Sequence, residues 1–325
     1  LAAVWDDRPL VAITGTNGKT TVTMMVTAMF NRSGRTAAAV GNTDVPLVAA
    51  LGDAATEVFV VEASSFRLGH SARFRPVVGT WLNFAPDHLD VHLDLGAYEA
   101  AKARIWADQL PADVAVGNVD DPVVAAHLAR APGRRIGFSA LPAPAVVPGR
   151  YGVVGGVLHD DGGEPLLRID ELPRALPHDL ANALAAMATT VAAGADRDAA
   201  VAVVRSWEQL PHRVQLVAEA GGLRFYDDSK ATTPHATLAA LSGFDRAVLI
   251  AGGQNKGIDL RPLRQSAGRL RAVVAIGAAA AEVAAVFAGA VPVVEITTGM
   301  DDAVKENGRS SSQVVASRRR IVSTG

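Results

Sequence analysis

The residues with the clearest capacity for chemistry are the run Ile13-Thr14-Gly15-Thr16-Asn17-Gly18-Lys19-Thr20-Thr21. A glycine-rich turn that passes from a strand into a helix aims backbone N–H groups at an anion. A lysine at its end reaches β- and γ-phosphates, and the next hydroxyl can join a magnesium ion. The run departs from the full Walker pattern at Ile13, where the first glycine would stand. An accidental glycine turn would account for Gly15 and Gly18, but not for Gly18-Lys19-Thr20 at a strand-to-helix junction. A triphosphate brings magnesium, whose oxygen ligands are a loop hydroxyl and one or two carboxylates at the ends of neighbouring strands. Glu62, closing Val58 to Val61 and followed by Ala63-Ser64-Ser65-Phe66, stands where such a carboxylate belongs. Taken alone, it also reads as a helix-cap partner or a solvated strand end. Gly41-Asn42-Thr43-Asp44-Val45-Pro46 is a loop rich in hydrogen-bonding groups, and Asn83-Phe84-Ala85-Pro86-Asp87-His88-Leu89-Asp90 begins where another strand ends. By itself the Asp87-His88 pair is compatible with a structural role, and Lys102 reads as a surface lysine on a helix.

The elements that must position these groups follow from periodicity. Val11 to Thr14, Val58 to Val61, Val77 to Phe84 and Val114 to Val116 are short β-branched runs separated by helical stretches, among them Thr20 to Asn31, stopped near Gly34. Strands that alternate with helices imply a parallel sheet with right-handed crossovers, and such sheets bind ligands at their carboxyl edge. Between Gly137 and Pro173 the pattern becomes Gly/Pro-punctuated extended pieces, which predicts a small β insertion. An Ala-rich helix follows over about 180–193. Gln209-Leu210-Pro211-His212-Arg213 reads as a junction, after which Leu223 to Tyr226, Ala247 to Ile250, Ala272 to Ile276 and Val291 to Val294 restart the alternation. The expectation is α/β: a P-loop ATPase domain with a mainly parallel sheet and a small β insertion over 1–210, then a Rossmann-like α/β domain over 211–300. The stretch 301–325 is set apart as an atypical basic tail.

Composition supports this class. The chain has 325 residues, 49% hydrophobic and only 5% aromatic, enough for two cores packed mainly with Ala and Val. Thirty-one basic and 33 acidic side chains leave a charge of −2, so no global basic field invites nucleic acid. Without cysteine there is no disulfide frame, thiolate metal site or catalytic thiol. No apolar run reaches the ~18 residues of a membrane span, and the cytoplasm is the expected location. The chain starts without methionine almost directly on a strand, and ends in the aperiodic, basic ENGRSSSQVVASRRRIVSTG.

The strings GTNGKTT, GNTDVP, EASSF, LNFAPDHLD, AAKARI, HDLANALAA, LPHR and DDSKATTP resemble, in order, those of the Mur ligases of peptidoglycan synthesis, over roughly residues 8 to 300. The P-loop form is shared with folylpolyglutamate synthases. E-x-SSF, LPHR and DSKAT are most similar to the branch that adds D-glutamate to UDP-N-acetylmuramoyl-L-alanine with ATP, a step on which cell shape and division depend. The resemblance implies that Gly15, Thr16, Asn17, Gly18, Lys19, Thr20 and Thr21 hold the ATP phosphates, with Thr20 and Glu62 on one magnesium ion. It implies His88 on a second magnesium, joined by Lys102 as a carbamate. Asn42 would face the substrate and Asn182 the adenine. Arg213 would reach the γ-phosphate, Asp228 would hold the nucleotide, and Ser229, Lys230 and Thr232 would lie at the cleft between domains. Lys256, in Gly252-Gly253-Gln254-Asn255-Lys256-Gly257, would lie near D-glutamate.

The implied partners are these small molecules, with a monomeric chain, no nucleic acid and no membrane. The resemblance also implies an N-terminal UDP-binding domain and a C-terminal SPACAS-like loop, and neither string occurs in these residues. The end after Val304 then reads as a changed frame or mispredicted gene end, with a natural basic tail as the alternative. Two functional alternatives stay open: a nucleotide-binding homologue without ligase activity, and another amide ligase such as a folylpolyglutamate synthase.

Overall fold

The computed structural model describes residues 6–88, 91–220, 222–255, 257–296 and, for the backbone alone, 314–317. The chain divides into two compact units, Leu1–Glu208 and Gln209–Gly325.

In the first unit, β1 (Leu10–Thr14), β2 (Ala37–Gly41), β3 (Val58–Glu62), β4 (Val78–Trp81) and β5 (Val114–Asn118) are parallel and lie in the order β2-β3-β1-β4-β5. The β insertion expected after Gly137 is not a separate body. β6 (Arg134–Ala143) adds parallel to β5, and β7 (Arg150–Val154), β8 (Val157–His159) and β9 (Pro165–Arg168) continue the same sheet, the last three as an antiparallel meander. β2 reads Ala-Ala-Ala-Val-Gly, a pattern that periodicity alone does not separate from a helix.

The strands read as unbroken apolar runs because both faces of the sheet are covered. Successive side chains alternate in direction. Val11 and Ile13 of β1 with Val58 and Val60 of β3 face a layer built by helices α1 (Lys19–Arg32), α6 (Pro177–Ala192) and α7 (Arg197–Arg205), which contribute Val22, Val26, Met29, Phe30, Leu184 and Val204. Leu10, Ala12, Phe59 and Val61 face the opposite layer, where Ile105 and Trp106 of α4 (Leu95–Ala107) and Leu128 of α5 (Pro122–Leu128) pack. Two short helices, α2 (Leu47–Ala50) and α3 (Ser65–Gly69), follow β2 and β3.

The second unit has the sheet order β10-β11-β15-β12-β13-β14. β10 (Gln215–Ala220) and β11 (Leu223–Asp227) form an antiparallel pair, while β12 (Ala247–Gly252), β13 (Leu270–Ile276) and β14 (Val293–Ile296) are parallel. Helices α8 (Pro234–Leu241) and α9 (Ala280–Phe287) accompany them. β15 (Val314–Ser317) pairs antiparallel with β11 and β12. Within the stretch 301–325, the described residues Val314-Val315-Ala316-Ser317 form a strand, a β-branched piece too short for periodicity to flag among its basic neighbours. The stretch Met300 to Val304 lies outside the described residues. Among the described residues no helix is long and apolar enough to cross a membrane.

Phe30 is fully buried between α1 and the sheet. Truncating such a ring leaves a cavity, so Phe30→Ala should destabilise the first unit by about 3–5 kcal/mol, read as a lowered urea midpoint with an unchanged slope.

Candidate active site

The phosphate loop grows out of β1 between its two neighbours. Ala63 N–H donates to Ile13 O at 2.8 Å and Leu82 N–H to Thr14 O at 2.9 Å, so the carboxyl ends of β1, β3 and β4 stop together. Gly18 takes φ +85° at the N-cap of α1, and a Cβ there would stand 2.7 Å from Oδ1 of Asn182. Only glycine lets α6 bring Asn182 this close. Asn83, just past β4, holds the loop. Its Oδ1 accepts from Thr16 N–H at 3.0 Å and Asn17 N–H at 2.9 Å, and its Nδ2 donates to Asn17 O at 3.1 Å. The Thr16 hydroxyl meets the Tyr98 hydroxyl at 3.2 Å and accepts from Ala85 N–H at 3.0 Å. Neither Asn83 nor Tyr98 was assigned a role from sequence. The signal for Asn83 was its place at the same sheet edge, and Tyr98, on a helix distant in sequence, left none.

Two lysines meet at one carbonyl oxygen. Lys19 Nζ donates to Gly15 O and Thr16 O, each at 2.9 Å, and Lys102 Nζ donates to Gly15 O at 2.7 Å. The expectation of a surface lysine fails: Lys102 is 1% exposed, with Nζ 4.6 Å from the centre of the Tyr98 ring. Burial, reinforced by the nearby Lys19 cation and only partly opposed by Asp87, pushes its pKa well below the usual lysine range. Its amine lies at the base of the loop, where burial disfavours the charged form.

Glu62 is 3% exposed, and Oε1 accepts from Asn42 Nδ2 at 3.1 Å. Its Oε2 is buried with no hydrogen-bond partner among the described residues. Such an oxygen is costly to desolvate unless something cationic meets it. Asn42 reaches it because Gly41, at φ +103°, lets β2 come so near that a Cβ would sit 2.6 Å from Glu62 O. His88 lies against the edge of Phe66, with ring centres 4.8 Å apart, and 6.2 Å from the centre of Tyr98. His88 and Lys102 thus flank one ring. Leu89 and Asp90 lie outside the described residues. No three His, Asp or Glu side chains converge among the described residues, so a divalent cation here would need hydroxyl and backbone oxygens beside Glu62. The buried, unmatched Oε2 fits that donor set.

In the second unit, Asp228 is buried and its Oδ1 accepts from Val214 N–H at 3.1 Å. Asp227, not singled out from sequence, accepts from Ser229 N–H at 2.9 Å and from the His212 ring. Burial would raise its pKa, but these bonds outweigh it and hold the carboxyl below the ordinary value. Lys230 and Thr232 are exposed, and Lys230 N–H donates to His212 O at 3.3 Å. The structure thus gathers Arg213, Asp228, Ser229 and Lys230 around one turn. Lys256 lies outside the described residues.

A P-loop opening a parallel sheet, a buried amine beneath it and a half-satisfied carboxylate beside it define an ATP-type phosphate site. The Mur ligase middle domain matches residues 13–190, and the Mur ligase glutamate ligase domain matches residues 212–316. The chain belongs to the Mur ligase family. It is 45% identical over 301 residues to the UDP-N-acetylmuramoylalanine–D-glutamate ligase of Frankia casuarinae, covering 91% of this chain and 63% of that protein. It is 42% identical to the ligase of the same name from Methylococcus capsulatus, covering 91% and 64%. The chain thus spans less than two thirds of the length of these relatives. Among solved structures, MurF from Acinetobacter baumannii superposes with a TM-score of 0.70 at 20% identity, covering 92% of this chain and 69% of that one. Folylpolyglutamate synthase of Mycobacterium tuberculosis gives 0.66 at 20% identity, covering 92% and 84%. At that identity they share the fold.

The depressed pKa of Lys102 has a measurable consequence. In the unfolded chain the amine titrates near 10.5, while its folded value is lower. Between the two values the unfolded state binds one more proton, so stability rises with pH, by up to about 1.4 kcal/mol per pH unit. Urea unfolding of the protein and of Lys102→Met in CO2-free buffer, from pH 7 to pH 9.5, should give a difference that grows in favour of the wild type. Parallel pH profiles would mean that Lys102 is charged.

Proposed function

We propose that the chain carries out ATP-dependent amide-bond formation, joining D-glutamate to UDP-N-acetylmuramoyl-L-alanine in peptidoglycan synthesis. The observation that carries the reading is the convergence of Lys19 and the buried Lys102 on Gly15 O at the mouth of α1. The 42–45% identity to two D-glutamate ligases, against 20% to the folylpolyglutamate synthase, supports D-glutamate as the amine.

A carboxylate is a poor electrophile. In the proposed reaction a carboxylate oxygen of the substrate attacks the γ-phosphorus of ATP, and the bond to the ADP oxygen breaks. The amine nitrogen of D-glutamate then adds to the carbonyl carbon of the acyl phosphate, loses a proton, and the C–O bond to phosphate breaks. No side-chain nucleophile is needed. The N–H groups from Gly15 to Thr21 and the Lys19 ammonium hold the phosphates, and Arg213 is assigned to the γ-phosphate, where negative charge spreads over the phosphoryl oxygens. Asn182 orients the adenine and Asp228 the nucleotide. Asn42, Ser229, Lys230, Thr232 and Lys256 face the substrates.

Thr20 and Glu62 would hold one magnesium ion, and His88 with Lys102 a second. Such ions supply charge neutralisation at the phosphates. The unprotonated nitrogen of Lys102 is suited to add CO2: an N–C bond forms, a proton leaves, and a carbamate oxygen replaces a bare amine as a ligand.

Phosphate release from ATP that requires both UDP-N-acetylmuramoyl-L-alanine and D-glutamate is the expected result. Nucleotide binding with no such release would leave the chain a nucleotide-binding member of the family and overturn the ligase reading. Separately, Lys19→Ala should weaken ATP binding roughly tenfold or more, the usual cost of losing hydrogen bonds to a charged partner. An unchanged affinity in calorimetry would remove Lys19 from the phosphate site.

A further inference from the structure

Arg213 stands between two residues in the left-handed region, His212 at φ +61° and Val214 at φ +49°. Histidine visits this region with modest strain, but for a β-branched residue it is a true outlier. Such backbone persists only where its surroundings over-determine it, and it concentrates where geometry serves function.

Two successive aspartates provide the restraint here. Val214 N–H donates to Asp228 Oδ1 at 3.1 Å. The His212 ring meets Asp227 Oδ2 through Nδ1. An ionised carboxylate can only accept, so His212 Nδ1 is the donor in this bond. Asp227 Oδ1 accepts from Ser229 N–H at 2.9 Å, so this one carboxylate ties the Pro211-His212-Arg213 junction to the Asp-Ser-Lys turn. Two more bonds close the loop, Lys230 N–H to His212 O at 3.3 Å and His212 N–H to Gln215 Oε1 at 3.0 Å.

We infer that Asp227 is a positioning residue for the transferred phosphoryl group: through His212 it fixes the backbone on either side of Arg213 and so aims the guanidinium. This rests on the proposed ligase reading, and it assigns a task to a residue that the Mur ligase strings leave without one. Asp227 touches no reacting atom in this scheme. Its removal should therefore act through Arg213, lowering the rate of the chemical step and leaving substrate recognition almost intact.

The test uses the full chain with Asp227→Ala, Asp227→Asn and Arg213→Lys, alone and combined. Asp227→Ala should lower kcat for substrate-dependent phosphate release by roughly tenfold or more, with KM for D-glutamate within about twofold of wild type, as expected for an interaction made only in the transition state. Asp227→Asn keeps one of the two accepting oxygens and turns the other into a donor, so its rate should fall between those of wild type and Asp227→Ala. In the Arg213→Lys background Asp227→Ala should cost almost nothing further, because the two changes remove one function.

A second readout needs no turnover. Trypsin cuts after Arg213, and freeing the strained junction should speed that cut several-fold in Asp227→Ala and less in Asp227→Asn. Additive losses with Arg213→Lys, or a slowed enzyme with an unaltered tryptic cut at Arg213, would overturn the assignment. If the wild type releases no phosphate, the ligase reading fails, and the tryptic arm still decides whether Asp227 restrains Arg213. If Asp227→Ala does not fold, His212→Gln breaks the same contact from the other side and is read in the same two assays.

Discussion

The carbonyl of Gly15 accepts from two amines, and much of the first unit is organised around that shared bond. Two ammonium groups at one low-dielectric position repel, and burial falls harder on one of them. Lys19 is half-buried on the loop. Lys102, walled in by Tyr98 and the loop, has its pKa pushed well below the usual lysine range. The two residues have the same side chain, and their surroundings set them apart. Tyr98 and Asn83 maintain the difference, since both bond to the loop that closes over Lys102.

The parallel sheet makes this possible by ending several strands on one edge. β1 ends between β3 and β4, its two hydrogen-bonded neighbours, so Gly15, Glu62 and Asn83 share one sheet edge though they are far apart in sequence. Both faces are filled with apolar side chains, which leaves the carboxyl edge as the place where polar groups can gather without disturbing a core. The unmatched Oε2 of Glu62 is a polar group desolvated by the fold at that edge.

The second unit places strain where the first places burial. Its junction holds Arg213 between two left-handed residues, and a pair of adjacent aspartates offsets the cost, each bonded to a different side of the arginine. A shift in one carboxylate is passed to the backbone directly, with no long side chain to absorb it.

Much of this was legible along the chain. The P-loop announces itself because a glycine turn, a lysine and a hydroxyl must be contiguous to wrap one phosphate, and the β-branched runs around it mark buried strands because both sheet faces demand apolar residues. The order of the short strings carried the family. Other features depended on pairs distant in sequence. Lys102 has the look of a solvated helix lysine until α4 packs over the loop and desolvates it. Asn83 and Tyr98 acquire their roles only across 66 and 82 residues of separation. β15 is a strand only because β11 and β12 leave a place between them. Asp227 and Asp228 look equivalent as neighbours, yet alternate directions along the backbone send one to a histidine ring and the other to a valine N–H. Residue types and local spacing therefore determined the class of chemistry. Protonation, strain and the aim of each group were decided by tertiary structure, because desolvation and long-range hydrogen bonds exist only after the chain has folded.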